Sequence, residues 1–177
     1  MNATLRPLEE ADLPTLYNMR SDPAVAAQFF NWRPITRTGQ VEWYENIRRA
    51  PDKLAFVLVG ADPTAQGRSA QLQKIVLGFG QISNLDYRNG PCEVGGFMIR
   101  PHLQRRGYGR KLVKGIVDFC FEEIGVPKVY LEVLAENKVA IALYVSLGFK
   151  TAGVWERHVW KDGGWRDVVL MELFCDR

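Results

Sequence analysis

Residues 92–119, CEVGGFMIRPHLQRRGYGRKLVKGIVDF, constrain the fold more tightly than any other stretch of the chain. An apolar strand pattern, CEVGGFMIR, runs into two glycines one residue apart, Gly107 and Gly109, and then into apolar residues at helical spacing. The chain must pass from strand to helix across a glycine turn, with the helix running from about Gly107 to Gly125. The first amides of a helix have no intrahelical partner, and the macrodipole makes that end positive. Glycine puts no Cβ between backbone and ligand, and Arg105, Arg106, Arg110 and Lys111 place cations at the rim. Such a junction suits a phosphate, and a pyrophosphate in particular. A solvated basic helix face with turn-forming glycines accounts for the same spacing, so these residues alone leave both readings open. Two other phosphate motifs are excluded. Leu112 stands where a dinucleotide fingerprint needs its third glycine, and no Walker A spacing occurs.

The rest of the chain supplies the partners for this unit. ATLRPL reads as a short strand, followed by a helix in EEADLPTLYNMR with Asp12 as its cap. Residues 21–37 hold Pro23, Pro34 and the aromatic run FFNW, which predicts an irregular loop with one turn of helix. TGQVEWYENIRRA sets Val41, Tyr44 and Ile47 on one helical face, and LAFVLVG is a buried strand. IVLGFGQIS and CEVGGFMIR form two more strands, joined through a turn at Asn89-Gly90. KVYLEVLA is a strand, NKVAIALYVSLG a helix ended by Gly148, and residues 149–174 a hairpin turning at KDGG. The sum is an α+β fold, a mixed central sheet of about seven strands flanked by about four helices. No linker or repeat divides it, so residues 1–177 are expected to form a single domain.

Composition narrows the functional classes. With 47% apolar residues the chain is expected to be globular, and a net charge of +3 is too mild to suggest nucleic acid as a partner. No run of about 18 apolar residues predicts a membrane span, and the acidic start MNATLRPLEEADLP lacks the order of a signal peptide. Cys92, Cys120 and Cys175 are odd in number and widely spaced, while His102 and His158 are too few and too far apart for a metal site. A reducing cytoplasm and no metal are therefore expected. Cys120, inside the helix, reads as packing rather than as a nucleophile.

Gln104-x-x-Gly107-x-Gly109, followed by Asn137-x-x-Ala140-x-x-x-Tyr144-x-x-x-Gly148-Phe149, resembles the GNAT superfamily of acetyl-CoA-dependent N-acetyltransferases. The strand order agrees from about Leu5 to Phe174, nearly the whole chain. The resemblance implies the GNAT fold and acetyl-CoA as co-substrate. It implies that Gln104, Arg105, Arg106, Gly107, Tyr108, Gly109 and Arg110 hold the CoA pyrophosphate, largely through backbone N–H groups. Backbone N–H groups around Phe97, Met98 and Ile99 would bind pantetheine and polarise the thioester carbonyl. Asn137 would contact CoA, and it also suits the cap of its helix.

Amine acetylation also needs a base and an acid. A protonated amine, with a pKa near 10.4 when lysine-like, must lose a proton before it attacks, and the expelled thiolate must gain one. The resemblance gives the acid role to Tyr144, which by its stripe with Ala140, Leu143 and Leu147 would otherwise read as a core tyrosine. In the ribosomal-protein alanine acetyltransferases of the superfamily the base is a glutamate on the strand before the second signature, which here is Glu132. Glu132 interrupts an apolar strand, an ordinary place for an acid if that strand lies at a sheet edge. Glu93, on the neighbouring strand, is a rival base, as in spermidine-type and ribosomal-protein enzymes.

The acceptor is less constrained. In the family it enters between the first two helices and the C-terminal hairpin, here SDPAVAAQFFNWRPITRT and VWERHVWKDGGW. The first segment offers Phe29, Phe30, Trp32 and Arg33 as acceptor-binding residues, with Arg37 nearby and Asp22 as its single acid. A polyamine pocket needs several carboxylates, which counts against spermidine although the hairpin resembles the spermidine acetyltransferases. The N-terminal region resembles enzymes acting on amino-sugar nucleotides, and the second half resembles ribosomal-protein enzymes. The acceptor is therefore a small amine, such as an amino-sugar nucleotide, or a peptide N-terminus, and a homodimer is compatible with the sequence. Two other classes are weighed against this: a CoA-binding module without turnover, which should lack the acid or the loop, and a small basic RNA-binding domain, which should carry more charge and a stacking motif.

Overall fold

The computed structural model describes residues 3–30, 33–64 and 74–176. Strand β1 (Ala3–Pro7) leads through a 3-10 turn (Glu10–Asp12) into α1 (Leu13–Ser21), the single-turn α2 (Pro23–Ala26) and α3 (Arg37–Arg49). Strands β2 (Leu54–Ala61), β3 (Lys74–Ser83) and β4 (Cys92–Ile99) follow, then α4 (Tyr108–Phe119) with a π-turn at Cys120–Ile124. The chain ends with β5 (Lys128–Leu134), α5 (Lys138–Ser146), β6 (Lys150–Lys161) and β7 (Gly164–Phe174). The seven strands make one sheet in the order β1-β2-β3-β4-β5-β7-β6. Every neighbouring pair is antiparallel except β4 and β5. This is the mixed sheet expected from the sequence, with α2 as the turn of helix anticipated in the proline-rich segment.

The sheet has a separate apolar core on each face. Leu112, Val113, Ile116 and Val117 of α4 cover one face, against Leu77, Ile82, Val94 and Leu131, and Tyr144 of α5 joins them. Leu13, Leu16 and Met19 of α1 with Val25 of α2 cover the other, against Val57, Val76, Phe79 and Met98. Strand residues alternate between these faces: Cys92 and Val94 of β4 and Val129, Leu131 and Val133 of β5 all belong to the α4 side. The residues between them, Glu93 on β4 and Tyr130 and Glu132 on β5, therefore project from the opposite face. Cys120 is fully buried with its Sγ 3.7 Å from that of Cys92, the packing role expected of it.

Three local expectations are corrected. Asp12 occupies the N-cap of α1 but does not cap it; its carboxylate accepts from the Glu9 amide at 3.0 Å and from both terminal nitrogens of Arg6 at 2.7 and 2.8 Å. Burial alone would raise the Asp12 pKa, but the bonds from Arg6 and the Glu9 amide outweigh it and hold the carboxyl below its usual value. Val41 is exposed, and the inward positions of α3 are Gln40 and Ile47, because Gln40 accepts a hydrogen bond from Arg20 of α1. Glu132 does not lie at an edge: β5 is interior, between β4 and β7.

Replacing Asp12 with Asn is expected to cost about 2 kcal/mol in urea unfolding at pH 7, since bonds to a charged partner are lost in a buried place. Because the folded-state pKa is lowered, this contribution exists above the unfolded carboxylate pKa and disappears as pH falls through the folded value. Wild type and variant should thus converge in stability under acid.

Candidate active site

Between β4 and β5 only two residue pairs are in register, Cys92 with Val129 and Glu93 with Tyr130. Beyond them the strands part: β5 goes on pairing with β7 as far as Leu134, and β4 with β3 as far as Ile99. Strands that twist and connect differently cannot stay parallel without a ladder, and here the ladder stops. Alternate backbone groups of Val94–Ile99 therefore point into a gap rather than to a partner strand. The β3–β4 register also shifts between Phe79 and Gln81, and Gly96 sits there with φ +64°, a left-handed conformation suited to glycine. Phe97, Met98 and Ile99 all lie on β4 beyond the last pair, so the predicted thioester-binding segment borders the gap.

The loop from Gln104 to Gly109 lies on the α4 side of the sheet. Gly107 is the N-cap of α4 with φ +80°, and no side chain caps the helix. Arg105 is also left-handed, with φ 58°. Left-handed residues in such a turn aim successive N–H groups into one concavity, the geometry of an anion nest. A Cβ on Gly107 would meet nothing within 4 Å, so the conformation requires glycine here and crowding does not. Gln104, Arg105, Arg106 and Arg110 are exposed at the rim, and Tyr108 is buried beneath. Arg110 also reaches α5, donating to the Ser146 hydroxyl at 2.8 Å. Asn137 caps α5, its side chain accepting from the Ala140 amide at 3.1 Å.

The acid and base candidates divide between the two faces. Tyr144 is buried on the α4 side, its ring 6.1 Å from that of Phe97 and 5.8 Å from that of Phe149. Its hydroxyl makes no hydrogen bond among the described residues. Burial pushes its pKa up, so the phenol stays protonated and remains a donor. On the other face, Glu93 accepts from the Asn84 amide at 2.7 Å and the Ser83 hydroxyl at 3.4 Å. Burial, and then repulsion from Glu132, raise its pKa, while the bonds from Ser83 and Asn84 oppose the rise. The net shift moves Glu93 toward the pH at which a general base works best.

A cleft of about 470 Å³ opens on that same face between α1, α2 and the sheet. Its floor includes Phe79, Gln81, Gly96 and Met98, so it reaches the bulged strand at the gap. Of the four acceptor residues expected from sequence, Phe29 and Arg33 line it, Phe30 is half-buried beside it in the chain but not in its wall, and Trp32 lies outside the described residues. Sequence reasoning missed Tyr17, Arg20 and Trp43, which also line it. These sit on α1 and α3, in amphipathic patterns that read as ordinary helix, and only the packing of the two helices aims them at one space. The hairpin contributes through Lys161, buried at the end of β6, whose ammonium donates to the carbonyls of Ala26 (2.9 Å) and Phe29. The aromatic wall of the cleft is thus held in place by the C-terminal hairpin.

A gap in the sheet, with an anion nest on one face and, on the other, an acceptor-sized cleft and the two glutamates Glu93 and Glu132, is the layout of a two-substrate transferase. The chain belongs to the family described as Acetyltransferase (GNAT) domain, which matches residues 2–150. Among curated relatives, the ribosomal protein bS18-alanine N-acetyltransferase of Escherichia coli (strain K12) is 30% identical over 173 residues, 96% of either chain. The spermidine N(1)-acetyltransferase of Vibrio cholerae serotype O1 is 26% identical over 170 residues, 96% of this chain and 91% of the relative. A crystal structure of the Vibrio cholerae spermidine N-acetyltransferase in complex with CoA and spermine superposes with a TM-score of 0.85 at 25% identity, covering 97% of this chain and 95% of that one. No described helix is long and apolar enough to cross a membrane.

Proposed function

We propose that the protein transfers the acetyl group of acetyl-CoA directly to a primary amine within a ternary complex. The single observation that carries this reading is the gap beyond Glu93 and Tyr130, with the amide nest on one face of the sheet and the acceptor cleft on the other. Acetyl-CoA would lay its diphosphate on the amides from Gln104 to Gly109 and its pantetheine along Phe97–Ile99. The thioester carbonyl would then lie against unpaired β4 amides, fixed donors of the kind that stabilise a developing oxyanion. Glu93, directly or through a water, takes the proton from the amine, its pKa raised by burial and then by the Glu132 charge. The amine nitrogen attacks the carbonyl carbon, the C–S bond breaks, Tyr144 protonates the departing thiolate, and the second proton leaves the new amide nitrogen and, through solvent, restores the Tyr144 phenol.

The acceptor is a small amine or a peptide N-terminus. Relatives named for spermidine support the first and those named for a ribosomal protein alanine support the second. We take the chain as one domain, since β7 inserts between β5 and β6 and so joins the last residues to the same sheet. A cytoplasmic setting is supported by Cys92 and Cys120, adjacent yet both free thiols.

A thiol-release assay with acetyl-CoA and a panel of amines, read together with acetylated product by mass spectrometry, tests the reading. Binding of acetyl-CoA without release on any amine would instead make the chain a CoA-binding module. Replacing Gly107 with Ala forces a strained φ in the nest, and is expected to raise the KM for acetyl-CoA by about tenfold while kcat at saturation changes little.

A further inference from the structure

We infer that the acceptor carries an anionic group beside its amine, and that Arg20 binds it in the cleft between α1 and α3. The inference rests on the acetyl-transfer reading and deepens it. Arg20 lines the cleft and is half-buried, its guanidinium 4.8 Å from the centre of the Trp43 ring. One terminal nitrogen donates to Gln40 Oε1 at 2.9 Å, and Gln40 is itself 1% exposed. No carboxylate is ion-paired with Arg20 among the described residues. A guanidinium has five donors in a planar fork, so most of Arg20 remains for a ligand.

The surroundings agree in sign. The cleft wall includes Arg20 and Arg33 and, among the described residues, no aspartate or glutamate. A partly desolvated cation that makes no ion pair is unfavourable on its own, and a carboxylate or phosphate bound to it offsets that cost. Burial accordingly lowers the Arg20 pKa, with no opposing effect from a neighbouring acid. A polyamine meets the reverse: two cations and, among the described residues of the wall, no acid to pair with its charges. Gly96 and Met98 in the same cleft belong to the strand at the gap, so an anion on Arg20 and an amine at the reacting end fit one small molecule or one short peptide. Gln40, buried and pinned to Arg20, acts as a positioning residue for the guanidinium.

The test is a titration of the CoA-saturated protein, so that the amide nest is already filled. Uridine diphosphate probes a phosphate source and the dipeptide Ala-Asp a carboxylate source, with uridine, Ala-Asn and spermidine as counterparts. One of the two anions is expected to bind at least about tenfold more tightly than its neutral counterpart and than spermidine, as charge-assisted bonds require. Whichever anion wins identifies the source. Arg20→Gln should erase that preference and Arg20→Lys should keep part of it, while affinity for CoA is unchanged in both. Equal binding of each anion and its neutral counterpart, or a preference that survives in Arg20→Gln, would overturn the inference and reduce Arg20 to a clamp between α1 and α3. Acetyl transfer would stand in that case, because thiol release is measured separately.

Discussion

Glu93→Gln is expected to lower kcat by about 10²- to 10⁴-fold, the range for a lost general base, with little change in the KM for acetyl-CoA. The matching Glu132→Gln variant should retain far more activity and move the acid limb of the pH–rate profile to lower pH. Removing the Glu132 charge takes away a repulsion that holds the Glu93 pKa up. Loss of the Asn84 donor should move the same limb to higher pH, because that bond favours the carboxylate. Stability changes in the opposite sense to activity. A carboxyl whose folded pKa is raised binds its proton more tightly in the native state, so native stability falls as pH rises from the unfolded to the folded value. Glu93→Gln removes that loss, and its melting temperature at pH 7 should equal or exceed that of wild type. A Glu132→Gln variant as inactive as Glu93→Gln would transfer the base role to Glu132.

Tyr144→Phe is expected to lower kcat about 10²-fold by removing the proton donor to the thiolate. The hydroxyl makes no hydrogen bond among the described residues, so its loss orphans no buried group, and the apolar ring keeps its contacts with Phe97 and Phe149. Thermal stability should therefore be unchanged within a degree or so. An activity loss without a stability loss separates an acid from a core tyrosine. Since burial raises its pKa, Tyr144 stays protonated through the working pH range, and any alkaline limb must come from another group. Unchanged kcat at every pH would remove Tyr144 from the acid role.

Much of this site is legible in the chain because its parts are local. The nest is six consecutive residues, and Gly107 takes its left-handed φ within them. The cap at Asn137 lies three residues from the amide it bonds. The placement of Glu132 was not legible: a single acid in an apolar run suits an edge strand, and only the insertion of β7 beside β5 makes that strand interior. Val41 and Gln40 illustrate the same limit, since helical periodicity favours the apolar neighbour until Arg20 is known to lie opposite. Arg20 itself carries no signal in a one-dimensional pattern.

By itself, then, the sequence determined the order of strands and helices and the strand-to-loop-to-helix nest, because these follow from short-range periodicity and backbone stereochemistry; the acid role proposed for Tyr144 comes from the family resemblance. Only the tertiary structure decided where β4 leaves β5, that Glu93 and Glu132 share a face opposite Tyr144, and that Arg20 shares a cleft with Phe29 and Trp43. Strand pairing, sheet face and helix packing depend on contacts between residues far apart in the chain. Their energies are summed only when the two apolar cores close on either side of the sheet.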